Sequence, residues 1–139
     1  MIDLKQLKEE TSGMSILLVE DELNLCAAIE VSLKLLFQHT QACTNGSDAL
    51  EKYKTDNYDI VITDINLPGM NGIDLIQAIR TLNHKQLIVV LSAHNESYIL
   101  DALRKLEVDI IISKPLLPNK LKEVLYEAAL KIKELKARL

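Results

Sequence analysis

The sequence predicts a single α/β domain, a doubly wound five-stranded parallel sheet in the strand order 2-1-3-4-5. Three observations carry that prediction. Five short runs rich in Ile, Val and Leu alternate with five longer helix-like stretches, the signature of strand–helix–strand units. Several of the runs, ILLV, IVI and LIVVL, are continuously apolar rather than alternating, as a strand needs only when helices cover both its faces. The length of 139 residues fits one domain with a real core.

The strands are expected at residues 15–20, 41–44, 59–64, 87–92 and 108–113, the second being the weakest. Helices are expected at residues 22–38, 47–55, 71–82 and 95–105, with the last running from Pro118 onward. Ser47 and Asn95 suit helix N-caps, and Pro118 suits a first helical turn. Right-handed crossovers leave few topologies, and the order 2-1-3-4-5 places a ligand crevice at the carboxyl ends of strands 1 and 3.

Residues 1–13 read as an N-terminal extension, 14–130 as the domain and 131–139 as the end of the last helix. A helix from Pro118 to Leu139 would span roughly 33 Å, against about 17–20 Å for a typical strand. Its last ten residues are therefore expected to overhang the sheet, as a dimer contact or a linker. Leu121, Leu125, Ala128, Ile132, Leu135 and Leu139 repeat at heptad spacing.

Composition excludes several classes. Apolar residues make up 48% and charged residues 26%, which argues against disorder. The start, MIDLKQLKEE, is charged too early for a secretory signal, and no apolar run approaches the ~20 residues of a membrane span. A cytoplasmic location is expected. The net charge is −4, yet residues 119–139 hold six Lys/Arg against three Glu. The body is therefore acidic, and direct nucleic-acid binding by it is not expected. Cys26 and Cys43 form no C-x-x-C pair, so both read as buried small hydrophobes. His39, His84 and His94 are scattered and read as surface residues, although His94 stands two residues beyond Ser92.

Function is written at the carboxyl ends of the strands. The first ends in Glu20-Asp21-Glu22, the third in Asp64, the fourth in Ser92 and the fifth in Ser113-Lys114-Pro115. Each fits a plainer role alone: acids near a helix N-terminus, a turn-forming aspartate before Pro-Gly, a strand-end hydroxyl, a surface lysine. Their joint occurrence at one sheet edge points to chemistry. Crowded carboxylates repel unless a cation joins them. Mg2+ binds through one or two carboxylates, waters and phosphate oxygens. Phosphoryl transfer needs its oxygens neutralised, for which Mg2+, Lys114 and Ser92 are suited, leaving Asp64 as nucleophile.

With those residues in view, the chain resembles the receiver domains of two-component response regulators over about residues 14–130. The matching motifs are ILLVEDE, VITDINLPGMNG, VVLSA and SKP. The resemblance implies a flavodoxin-like fold and a phosphoacceptor signalling domain that catalyses only its own phosphorylation and dephosphorylation. It implies Asp64 as phosphoacceptor and Asp21 as a direct Mg2+ ligand. Glu20 would act on the ion through water, and the Asn66 carbonyl would complete the site. Lys114 would bind phosphoryl oxygens, Ser92 would report the state, and the Lys114–Pro115 bond is often cis in relatives. His94 and Asn66 would flank the phosphoryl group. The donor would be a sensor histidine kinase or phosphotransfer protein. The output would pass from residues 95 onward to a downstream protein or the chain's own effector domain, with a homodimer possible. Two departures stand out. Ile111 occupies the usual aromatic switch position, which puts the ring-flip step in doubt. Glu107 stands where Gly is common, so the approach to strand 5 is open to a different turn. Two alternatives remain: a module cut from a larger regulator with a DNA-binding or enzymatic effector, and a flavin binder of the same fold. The latter is disfavoured because its first loop would need glycines where Glu20-Asp21-Glu22 stand.

Overall fold

A computed structural model describes residues 2–93 and 96–138 of the chain. In chain order the elements are α1 (Leu4–Thr11), β1 (Ser15–Val19), α2 (Leu23–Leu36), β2 (His39–Cys43), α3 (Gly46–Thr55) and β3 (Ile60–Asp64). There follow α4 (Gly72–Leu82), β4 (Leu87–Ser92), α5 (Ser97–Lys105), β5 (Ile110–Ser113) and α6 (Pro118–Ala137). The strands form one sheet in the order β2-β1-β3-β4-β5, every pair parallel. This is the expected flavodoxin-like topology.

The continuous apolar runs are explained by position. The central strands β1, β3 and β4 have helices on both faces, so Leu17 and Leu18, or Val61 and Ile62, are equally buried though they point in opposite directions. One face packs Ile16, Leu18 and Ile62 against Leu33 of α2 and Leu125 and Ala128 of α6. The other packs Leu17, Val19 and Val61 against Leu75 and Ile79 of α4 and Leu103 of α5. Among the described residues no helix is long and apolar enough to cross a membrane.

Several local features differ from the expectations or add to them. Asn45, not Ser47, caps α3. Asn45 is extended, and its side chain accepts the Asp48 N–H at 2.8 Å, whereas Ser47 already lies within the helix. Asn71 caps α4 in the same way, while the expected cap Asn95 and also His94 lie outside the described residues. Residues 4–11 of the expected extension form a helix seated on α2 and α6. Leu7 is fully buried there, the Thr11 hydroxyl donates to the Leu36 carbonyl at 2.8 Å, and Glu10 pairs with Lys133.

Toward its end α6 touches the domain only at isolated points, and its described residues beyond Ile132 are exposed. Ala129 and Ile132 are buried, and Lys136 lies 3.7 Å from Asp59. Of the heptad seam only Leu135 stands exposed, Leu139 lying outside the described residues. Finally, Glu107 adopts φ +56°, the left-handed conformation that glycine takes most easily, at a cost of about 1–2 kcal/mol. Arg80 holds it there. Its guanidinium donates to the carbonyls of Leu106 (2.7 Å), Glu107 (2.8 Å) and Gln86.

Candidate functional site

The sheet delivers its reactive residues by ending its strands in step. Glu20 follows β1 and continues the ladder, its N–H donating to the Cys43 carbonyl at 3.0 Å. Asp64 is the last residue of β3 and pairs in register with Leu91 of β4. Ser92 follows and faces Ser113 of β5. The Lys114 N–H then donates to the Ser92 carbonyl at 2.9 Å, which fixes the root of the lysine beside the acids. Its bond to Pro115 is cis.

One carboxylate oxygen from each of Glu20, Asp21 and Asp64 lies within 4.8 Å of the others. Glu20 and Asp64 are buried and Asp21 is exposed. The Lys114 ammonium donates to Asp64 Oδ2 at 2.6 Å and to Glu20 Oε1 at 2.9 Å. Backbone groups share the remaining lone pairs: the Glu22 N–H donates to Glu20 Oε2 at 3.1 Å, and the Asn66 N–H donates to Asp64 Oδ1 at 3.2 Å. Burial pushes the Glu20 carboxyl above the usual carboxylate range despite its bond to Lys114. For Lys114 burial works against the charge, but the bonds to Asp64 and Glu20 together outweigh it and hold the ammonium above its ordinary range.

The charge does not balance. One ammonium faces three carboxylates, so with all ionised a surplus of two negative charges is concentrated at a partly buried edge. Oxygen donors of this number, spacing and charge fit a small hard divalent cation. Glu20, Asp21 and Asp64 are the side chains that would hold it.

Of the residues expected at the site, Glu20, Asp21, Asp64 and Lys114 meet directly. Ser92 is buried at the same edge, and Asn66 is exposed on the loop leaving Asp64. Two features were not read from sequence. Lys114 is engaged by carboxylates, not simply waiting for phosphoryl oxygens. Gly72 is a positioning residue: a Cβ there would lie 2.2 Å from the Asp64 carbonyl oxygen and 2.6 Å from the Ile65 Cα. Its N–H donates to the Ile65 carbonyl at 2.8 Å, closing the loop back onto the strand end. The Asn71-Gly72 pair after Pro68-Gly69 is the only sequence signal for this closure.

Comparisons with known proteins bear on the family and the fold. The sequence profile of the response regulator receiver domain matches residues 16–126. The chain is 33% identical to the chemotaxis protein CheY of Thermotoga maritima over 115 residues, covering 81% of this chain and 95% of that protein. It is 32% identical to the regulatory protein VanRB of Enterococcus faecalis over 74% of this chain. It spans only 46% of VanRB and 13% of the sensor kinase/phosphatase LuxN of Vibrio campbellii. Among solved structures, the N-terminal domain of an uncharacterised Wolinella succinogenes protein superposes with a TM-score of 0.81 at 26% identity, over 89% of this chain and 99% of that one. A CheY-like receiver domain from Methanospirillum hungatei gives 0.83 at 20% identity over 88% and 98%, a likeness of fold.

Proposed function

The chain belongs to the response regulator receiver domain family, and on that premise we propose that it accepts a phosphoryl group on Asp64 in a Mg2+-dependent reaction. The observation that carries the reading is the meeting of Glu20, Asp21 and Asp64 within 4.8 Å beneath an ammonium bonded to two of them. The donor is a sensor histidine kinase or a phosphotransfer protein, in the cytoplasm.

The step balances simply. A carboxylate oxygen of Asp64 forms a bond to the donor's phosphorus, the phosphorus–nitrogen bond of the donor's phosphohistidine breaks, and the leaving imidazole takes up a proton. Asp64 becomes an acyl phosphate. Later attack by water releases inorganic phosphate and restores the carboxylate. Glu20, Asp21, Asp64 and the Asn66 carbonyl would hold Mg2+, directly or through water, and the ion would neutralise charge on the phosphoryl oxygens. Lys114 gives up its bond to Asp64 and takes a phosphoryl oxygen. The Ser92 hydroxyl donates to another oxygen and so moves with the phosphorylation state. Burying that shift in a low-dielectric edge makes it strong enough to redistribute the output surface around α5, β5 and α6. Ile111 is 40% exposed and carries no ring, so transmission here runs through Ser92 and backbone rather than an aromatic flip.

A second reading, a receiver module of a larger regulator, is suggested by relatives such as VanRB and LuxN, of which the chain spans 46% and 13%, whereas it spans 95% of CheY of Thermotoga maritima. Either way the chemistry at Asp64 is the same. The test is incubation with a small phosphodonor and Mg2+, read by intact mass. One phosphoryl group should be gained, and lost again in Asp64→Ala and in excess chelator. Uptake that survives both would end the proposal.

A further inference from the structure

The loop that leaves Asp64 is held down along its length. Ile65 and Leu67 are buried, and the Ile65 carbonyl accepts the N–H groups of Leu67 at 3.1 Å and Gly72 at 2.8 Å. Beyond the exposed Pro68 and Gly69, Met70 returns to pack against the core on the face that α3, α4 and α5 cover. There it meets the first residue of α3. A Cβ on Gly46 would lie 2.7 Å from the Met70 carbonyl oxygen and 3.3 Å from the Met70 Cβ and Cγ, so a bare backbone is what lets the loop come this close. Conformation does not require a glycine at residue 46. Its φ lies outside the left-handed region, and alanine is the better helix former.

We propose that Gly46 is a positioning residue that sets which divalent cation the acidic edge prefers. The inference rests on the reading of the site given above, with Asp64 and the Asn66 carbonyl among the groups that hold Mg2+. Mg2+ demands near-ideal octahedral geometry with its oxygens at about 2.0–2.1 Å, whereas Ca2+ takes more oxygens at about 2.3–2.6 Å in a flexible arrangement. Where the loop sits therefore decides between them. With a methyl group at residue 46, the gap to the Met70 oxygen must open from 2.7 Å to at least 3.4 Å, ordinary van der Waals contact. The helix is the stiffer side. Asn45 accepts the Asp48 N–H at 2.8 Å and donates to Asp48 Oδ2 at 2.9 Å, and Ala49 is fully buried. The loop, with Asn66, Pro68, Gly69 and Asn71 exposed, is the side that gives. Gly72, two residues beyond Met70, is bonded to Ile65, which stands between Asp64 and Asn66. A displacement of Met70 is thereby carried to the residues that face the ion.

Isothermal titration calorimetry of the full chain with Mg2+ and with Ca2+, in the absence of any phosphodonor, tests the assignment. Gly46→Ala should raise the Kd for Mg2+ about 10-fold and that for Ca2+ by less than about 3-fold, so that the preference moves toward Ca2+. Met70→Ala removes the side chain that seats the loop without crowding α3. It should move the preference in the same direction, and it carries the test alone should circular dichroism show Gly46→Ala unfolded. Gly13→Ala, whose added Cβ would meet nothing within 4 Å, should match the wild type for both ions. A merely structural role at residue 46 would weaken both ions alike. An unchanged ratio of the two Kd values in whichever of the two variants folds, equal weakening included, overturns the inference and leaves the phosphoryl chemistry at Asp64 standing. A wild type that binds no Mg2+ overturns both.

Discussion

At the amino end of the sheet Arg80, 12% exposed, donates to the carbonyls of Leu106, Glu107 and Gln86 and lies 3.8 Å from Asp109. The acids nearby are satisfied in the same spirit. Asp59 accepts the Ser15 N–H at 2.9 Å, and Asp109 accepts the Ile88 N–H at 2.8 Å. At the carboxyl end a single lysine serves two buried carboxylates with a third close by. Both ends use the same groups, yet one network closes on itself and the other keeps unspent negative charge. The difference separates a fastener from a site able to take a cation. A closed network resists change, whereas surplus charge has a reason to recruit a cation or change partners.

Substitutions at the two ends should therefore part company. The largest effect is expected from Asp64→Asn, which should abolish phosphoryl uptake in an intact-mass assay while leaving the midpoint of urea unfolding where it was or higher, because one repulsive charge is gone. A loss of stability beyond about 2 kcal/mol would mean that the carboxyl end is a fastener too. Next comes Arg80→Ala, which strands three carbonyls and should cost about 2–4 kcal/mol, measured by the same unfolding curve. The folded fraction should still take up a phosphoryl group. Failure to do so would join the two ends into one functional unit.

A smaller effect of opposite sign is expected from Glu107→Gly. Relief of the left-handed backbone should add about 0.5–1 kcal/mol, partly offset by the looser unfolded chain. If that variant is instead destabilised, Arg80 is gripping the glutamate's conformation for a reason other than the turn. The last, confined to alkaline pH, concerns Tyr58, whose hydroxyl is pushed up to about 12 by burial, with the Asp56 charge adding to it. A folded pKa above the unfolded value of 10.0 leaves stability untouched below pH 10 and erodes it from there to about pH 12. Absorbance of the ionised ring followed across that window, alongside the unfolding midpoint, checks the sign.

The sequence was most legible where neighbours along the chain were enough. ILLV before Glu20 and LIVVL before Ser92 announce buried parallel strands because both side-chain directions are apolar. The residues following those strands must then share an edge, and so Glu20, Asp21, Asp64 and Lys114 were found together. Legibility failed where the decisive partner is distant or the pattern is short. Helix α1 hides in a charged stretch whose main core anchors are Leu7 and Thr11, too few to show a period. Arg80 looks like any helical arginine until the turn 26 and 27 residues later folds under it. Asn45 and Ser47 are both good capping types, and only the backbone angles at residue 45 decide between them.

The reach of Lys114 has a bearing on how the chain is made. Its partners stand 94 and 50 residues earlier, so a growing polypeptide exposes both acids long before their counter-charge has been synthesised. Until β5 docks at the margin of the sheet, the half-built edge is purely acidic. The pairing of both acids is thereby tied to completion of the sheet, because the strand that carries Lys114 to them is the last to be made.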